Sequence, residues 1–412
     1  MELFSTAWQF LSSVLIFAAG ILVAISVGRR FNTTARRSLT LYGWHTIFCI
    51  IATLYLVANG GDAIDYYKTA LAGNVEFSVG TAAVSFITVF FTSVLGLSFL
   101  GASLVYQIAG FIGLLAFDAS LQAATAEKSK YVRRLATLIV FLPSVSFWSS
   151  AIGKDSLSFM AVGFALWAAL NLKRRVWLMV ASVAIMLLVR PHIAGMIVIA
   201  FAGSLIIKRN IPLARRLGFG IATLVAATLI VPFAMTYAGL ESAVTAQDLN
   251  NYIEQRQQQN LEGSASFDLA AMTPPMQLFT YLFRPLPFEA RTFFALAASL
   301  DNVILLMLFI AGGWSILKRY RPTIVGNRGF LWLYSLLAWS LLAMTTANLG
   351  ISLRQKWMFA PMMILLLISL IGRPRRKLNQ ARTLVRYSVP APHPDRASWN
   401  PVNRGAAPRW KM

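Results

Sequence analysis

Residues 173–209 read KRRVWLMVASVAIMLLVRPHIAGMIVIAFAGSLIIKR. Two apolar arms, 176–189 and 193–207, are 14 and 15 residues long, with Arg190-Pro191-His192 between them. Basic residues close both outer ends: Lys173, Arg174 and Arg175 before, Lys208 and Arg209 after. Arms of this length at about 1.5 Å per residue cover roughly 21–22 Å, against a bilayer core of ~30 Å. The stretch therefore reads as a membrane hairpin with both ends on the basic, cytoplasmic side and its turn recessed in the outer leaflet.

The same punctuation continues outward along the chain. Of its 412 residues, 57% are hydrophobic and only 13% charged, whereas soluble domains carry about 25% charged residues. Apolar runs recur throughout, so a soluble enzyme with one anchor is excluded. The formal charge is +22, from 37 Lys and Arg against 15 Asp and Glu. In a soluble chain this would suggest nucleic acid; here it is the positive-inside signal of a polytopic protein, and no nucleic-acid partner is expected.

Reading each run by length and flanking charge gives an all-α, polytopic membrane helix bundle of about eleven transmembrane helices, N-terminus out and C-terminus in. The expected spans are about 10–28, 41–58, 97–117, 135–150, 156–172, 176–189, 193–207, 217–238, 292–317, 329–347 and 356–371. The first run lacks a basic leader and a small-residue cleavage motif, so it is expected to be a retained helix. Residues 1–371 form the expected transmembrane domain, with outer loops 59–96 and 239–290. Residues 372–412 are Pro- and Arg-rich and are expected to form a disordered cytoplasmic tail.

Parity forces one choice. If 79–117 held two spans, the basic residues Lys128 to Arg134 would fall outside. Residues about 79–95 are therefore expected to lie as an amphipathic helix at the outer interface, with Thr81, Ser85, Thr88 and Thr92 forming one polar stripe. The alternative is a true span whose stripe faces the bundle.

The spans carry almost no charge in their middles, which argues against an ion-coupled transporter. Ionisable groups collect instead at the outer ends. Gly60-Gly61-Asp62-Ala63-Ile64-Asp65-Tyr66-Tyr67 places Asp62 and Asp65 three residues apart on one helical face. Two such carboxylates could bind a divalent cation such as Mg or Mn, or one could serve as a base. A plain helix cap at Asp62 is the blander reading. Lys154-Asp155 follows Pro143-Ser-Val-Ser-Phe-Trp148 between two spans, where Asp155 could simply cap the next helix. A recessed Arg190, beside His192, needs an anionic partner: a carrier phosphate, or one of the outer carboxylates. Arg284 opens Arg284-Pro-Leu-Pro-Phe-Glu289, where Glu289 and Arg291 could form an ordinary surface pair. Arg354 and Lys356 lie in the last outer loop, against the charge bias. Gln255-Arg256-Gln-Gln-Gln-Asn260 in the long loop offers amides suited to sugar hydroxyls, or an ordinary solvated segment. Cys49, alone in an apolar run, can form no intrachain disulfide, and His45, His192 and His393 are too scattered for a histidine metal site.

In order, these clusters read D…D-Y-Y, P-S…F-W-S…G-K-D, R-P-H, F-R-P-L-P-F-E and N-L-G…R. Over roughly residues 55–370 this order resembles bacterial polysaccharide-cluster membrane proteins: the polyprenyl-phosphate-dependent C-superfamily glycosyltransferases and the related repeat-unit polymerases. The resemblance implies an inner-membrane enzyme of polysaccharide biosynthesis that acts on a polyprenyl-linked sugar or oligosaccharide outside the cytoplasm. In the glycosyltransferase branch, Asp62 or Asp65 would be the catalytic base or the metal-binding carboxylate. In the polymerase branch, Arg190, His192 and Arg354 would act at the outer face without metal. Lys154 and Arg284 would assist in phosphate binding. Many C-superfamily enzymes carry a separate outer sugar-binding domain, for which the loop at 239–290 is too short. A lipid-linked-glycan flippase, or a non-catalytic partner of export and assembly proteins, are the readings from other classes.

Overall fold

In the computed structural model, residues 3–207, 213–238, 254–255, 272–324 and 326–372 are described. The chain divides into Met1–Arg373 and Pro374–Met412. The tail, most of the loop expected at 239–290, and its amide-rich segment from Arg256 lie outside the described residues.

The described part is helical: α1 (Ala7–Arg30), α2 (Ala35–Asn59), α3 (Asp62–Ala72), α4 (Thr81–Val89, continued by a π-turn Phe90–Val94), α5 (Phe99–Thr125), α6 (Lys130–Val140), α7 (Pro143–Trp148), α8 (Lys154–Leu170), α9 (Leu172–Val189), α10 (Pro191–Ile207), α11 (Leu213–Ala238), α12 (Pro274–Phe283), α13 (Phe293–Leu317), α14 (Arg328–Thr345), α15 (Leu349–Gln355) and α16 (Ala360–Leu370). Side-chain oxygens of Thr6, Thr34, Ser98, Ser129, Thr292 and Asn348 each accept a backbone N–H in the first turn of the helix that follows. These caps supply partners for donors that a helix start leaves unpaired.

Among the described residues, four helices are long and apolar enough to cross a membrane alone: Ala7–Arg30, Ala35–Asn59, Phe99–Thr125 and Phe294–Leu317. Leu349–Met358 and Ala360–Leu370, bent by 64°, make a fifth if counted as one. Several expected spans are thus shorter or broken. The run at 135–150 is interrupted at Leu142, whose backbone is extended (ψ 131°) before Pro143. A proline at the next position disfavours α-helical geometry and removes a backbone donor.

Contacts sort the loops into two ends. At one end, Arg37 holds Asp118, Thr323 bonds the Ala124 carbonyl, Lys128 donates to Gly372 O, and Asn327 N–H donates to Ala169 O. Arg175 lies over the Trp167 ring at the same end. The other end gathers Asp62, Lys154, Asp155, Arg190 and Arg354. Short helices run between the ends as long ones do. Broken α6–α7 goes from Lys130, near Asp118, to Trp148, near Asp62. Helix α9 goes from Arg175 to Arg190.

Helix α5 is the most buried of the four long helices, and α1 the least. Gly113 and Gly163 let α5 and α8 meet backbone to backbone: a Cβ built on Gly163 would sit 2.6 Å from Gly113 O, and one on Gly113 2.7 Å from Phe159 O. Small residues permit such close approach in membrane bundles.

Helix α4 starts and finishes at one end. Gly80 N–H donates to Leu188 O, beside Arg190, while Trp8 Nε1–H donates to Leu95 O and Tyr67 O–H to Leu97 O. Its polar stripe, however, is turned opposite to the expected interfacial arrangement. Ser85, Thr88 and Thr92 are buried, with Thr88 hydroxyl bonded to Val84 O and to Tyr106. Phe86, Phe90 and Val94 face outward. Where a hydroxyl is shielded from water it takes a protein partner.

The spans are also less free of charge than expected. Asp118 and Asp301 are buried within α5 and α13. Each has a partner: Arg37 for Asp118, and the Ser144 N–H, at 2.8 Å, for Asp301. Lys356, fully buried, donates to Asn302 Oδ1, next to Asp301.

Candidate functional site

Parts of four sequence clusters meet in one place. Gly60 and Gly61 (φ +80° and +138°) turn the chain off α2 and start α3 at Asp62. Only glycine adopts such angles readily. Lys154 and Asp155 open α8, Arg190 joins α9 to α10, and Arg354 lies near the end of α15.

Arg354 Nη1 donates to Asp62 Oδ2 at 2.7 Å, and its Nε lies 3.3 Å from Asp155 Oδ2. The other oxygen of Asp155 accepts from Arg190 Nη2 at 2.5 Å. Asp155 is therefore shared by two guanidinium groups, and the ion network runs Asp62–Arg354–Asp155–Arg190. Lys154 Nζ donates to Thr81 Oγ1 at 3.1 Å, tying α8 to α4. Counting Lys154, the cluster holds three cations and two carboxylates.

Beside it is a cavity of about 370 Å³, lined by Asp62, Lys154, Asp155, Arg354, Tyr66 and Trp148 among others. That volume lies in the range of small-molecule sites, roughly 300–1,000 Å³. The network is graded in depth. Arg190 is almost fully buried, whereas Asp62 is half exposed. Among the described residues, Arg190 Nε and the buried Tyr281 hydroxyl have no hydrogen-bond partner. Unsatisfied buried donors are uncommon and mark places where an acceptor is wanted.

Burial resists ionisation of Asp62, but the Arg354 guanidinium, helped by Lys154 and Arg190, holds its carboxyl below the usual range. Burial, and then the Arg190 charge, push the Lys154 ammonium down to about 8. Burial, with Asp62 adding to it, pushes the Tyr66 phenol up to about 12. At neutral pH, Asp62 is an ionised acceptor and Tyr66 a donor.

The other candidates separate from this cluster. Asp65 is exposed on α3 and is not among the cavity-lining residues. His192 is half-buried in the first turn of α10 and does not line the cavity. Arg284 is held locally by Glu289, through bonds of 2.7–3.1 Å; this pair, rather than Glu289 with Arg291, closes the turn. Glu289 also accepts the Leu286 N–H.

The expected divalent-cation pair fares poorly on charge. Asp62 is engaged by Arg354 with Lys154 and Arg190 nearby, and no cluster of three or more metal-capable side chains occurs among the described residues. A surplus of cations suits an anion, not a second cation.

Asp155 is the main residue that sequence spacing undervalued, since a carboxylate at the start of a helix looks like an ordinary cap. Lys154 beside Asp155, across from the isolated Arg190, was the available signal. No protein-family model, curated protein or solved structure matches this chain.

Proposed function

We propose that the chain is a membrane glycosyltransferase or polymerase. It moves sugar units from a polyprenyl-(di)phosphate carrier to a glycan or lipid acceptor, at the outer face of a bacterial plasma membrane. One observation carries this reading: Asp62, Lys154, Asp155 and Arg354, drawn from distant parts of the chain, line one cavity, and Arg190, paired with Asp155 behind it, gives the whole ion network one surplus positive charge.

A carrier phosphate matches that surplus. Guanidinium groups bind phosphate in a two-pronged geometry, and Arg190 has a spare donor. A phosphate that engages Arg354 competes with Asp62 and releases its carboxylate. Asp62, already ionised, then accepts the proton of the acceptor hydroxyl. The hydroxyl oxygen bonds to the anomeric carbon as the bond from that carbon to the phosphate oxygen breaks. The leaving phosphate takes the electron pair, stabilised by Arg190, Arg354 and Lys154.

The proposed topology has eleven crossings, N-terminus outside and C-terminus inside, with the Asp62 end outward. Helices of 17 residues, such as α8, rise about 26 Å, and local bilayer thinning accommodates them. The basic residues Arg37, Lys130, Arg133 and Arg134 at the opposite end favour this orientation.

The test uses purified protein in vesicles with a polyprenyl-diphosphate-linked oligosaccharide. Wild type should form product. Asp62→Asn should lose on the order of 10²–10⁴-fold of the rate, as expected for a general base. Arg190→Lys should lose about 10²–10³-fold, as for removal of a charge-stabilising donor. Full activity in both variants would remove this site from the chemistry.

A second reading, a flippase for lipid-linked glycans, is favoured by one observation. Lys356, Asn302 and Asp301 are buried close along the chain to Arg354 and to the Ser144 turn, and could continue a polar path inward. An Asp62→Asn protein that still moved labelled lipid-linked glycan, yet formed no product, would support it.

A further inference from the structure

A second cavity, about 730 Å³, lies at the end of the bundle opposite Asp62, and the proposed chemistry makes no use of it. Arg37, Asp118, Gln122, Lys130, Arg133 and Arg134 line it with smaller residues. Asp118 is already engaged. Arg37 grips it with two bonds, 2.8 and 2.6 Å, and Gln122 Nε2 donates a third at 3.0 Å. Its charge is cancelled by Arg37.

Lys130, Arg133 and Arg134 remain. Among the described residues none of them lies within ion-pair distance of a carboxylate. Three uncompensated cations therefore face one cavity.

Their arrangement follows from helical spacing. Positions 130, 133, 134 and 137 form one strip of α6. Val132, Ala136, Ile139 and Val140 form the buried strip on one side of it. On the other side lie Tyr131 and Leu138, which are apolar and exposed. The cations thus stand between the protein core and a surface suited to acyl chains. That order matches a lipid at the water interface, with its headgroup on the basic strip and its tails beside it.

We propose that this cavity binds the phosphate headgroup of an anionic membrane phospholipid, held by Arg133, Arg134 and Lys130, with its tails along Tyr131 and Leu138. Basic pockets between helices on the cytoplasmic side are suited to such headgroups. Free inorganic phosphate offers the same charge but has no use for the exposed apolar strip. The proposal does not depend on what the opposite end catalyses.

The test is native mass spectrometry of the purified full chain, incubated with phosphatidylglycerol, with phosphatidylcholine, or with phosphatidylglycerol plus millimolar inorganic phosphate. Wild type should retain phosphatidylglycerol over phosphatidylcholine, and inorganic phosphate should not displace it. Arg133→Gln with Arg134→Gln should lower retention about tenfold or more, the loss expected for charge-assisted bonds. The Arg133→Lys, Arg134→Lys pair should restore part of it. If the glutamine pair does not yield monodisperse protein, Lys130→Gln is read in the same way. Equal retention of both lipids, or unchanged retention in the variants, would overturn the proposal. Displacement by inorganic phosphate would assign the cavity to a free anion and overturn the lipid reading.

Discussion

At the scale of single residues, the candidate site turns on how two carboxylates divide three cations. Asp62 is half exposed and paired with one arginine, so it can be released, whereas Asp155 is paired with two and is more enclosed. The two should therefore respond differently to removal of charge. Asp155→Asn leaves the buried Arg190 and the part-buried Arg354 without this partner and should lower thermal stability in detergent by about 1–3 kcal/mol; Asp62→Asn should leave the melting temperature near wild type while cutting the rate on the order of 10²–10⁴-fold. Equal melting temperatures for both variants would remove the structural role of Asp155. Lys154 sets the alkaline limit. Its ammonium, pushed down to about 8 by burial, is charged below that pH and neutral above it. Product formation should fall as pH rises through about 8, and Lys154→Arg, which keeps its charge, should move that limb upward. The Asp62 carboxyl, held below the usual range, places no limb between pH 5 and 7. Sequence made Asp62, Lys154, Arg190 and Arg354 visible because charge at the end of an apolar run is costly. It could not rank them against Asp65, His192 and Arg284, because which charges meet depends on helix packing. Arg284 illustrates this: its partner, Glu289, is five residues away and absorbs it locally.

At the scale of elements, period and punctuation carried most of the reading. The Arg190-Pro191 turn between α9 and α10 falls where the sequence places it, because Pro191 takes the first helical position, where no backbone donor is needed. Pro143 was equally legible as a breaker, yet the apolar run around it still suggested one span at 135–150. The chain makes that traverse as two pieces, α6 and α7. The stripe on α4 showed the limit of periodicity. Spacing shows that four hydroxyls share a face, but not whether that face meets water or Tyr106. Contacts between α5 and α8 were hidden for a similar reason, since glycine carries no periodic signal. They now give a direct prediction. Gly163→Leu would push its side chain into the Gly113 backbone, so it should cost about 1–3 kcal/mol or more and yield little monodisperse protein. Gly43→Ala, on α2 with open space around it, should be neutral. A Gly163→Leu protein with wild-type thermal stability would mean that α5 and α8 do not meet there.

At the scale of the whole molecule, charge partition gave two ends before any contact was known, and contacts then collected Arg37, Lys128, Lys130, Arg133 and Arg134 at one end and the Asp62 group at the other. The proposed orientation puts the basic end toward the cytoplasm. In a Cys49→Ala background, Lys68→Cys, at an exposed position of α3, should react with an impermeant maleimide on intact cells, whereas Glu127→Cys should react only after permeabilisation. The reverse pattern would invert the protein. What sequence could not supply at this scale is the cavity itself, because it is assembled from residues nearly 300 positions apart, as between Asp62 and Arg354. The most direct test of outer-face glycosyl transfer is the lipid-linked glycan profile of a deletion strain, complemented with wild type or with Asp62→Asn. Accumulation of one short carrier-linked oligosaccharide in both the deletion and the Asp62→Asn strain, cleared by wild type, is the predicted result, and its size would separate single-sugar transfer from block polymerisation. An unchanged profile in the deletion strain, or full clearance by Asp62→Asn, would contradict it.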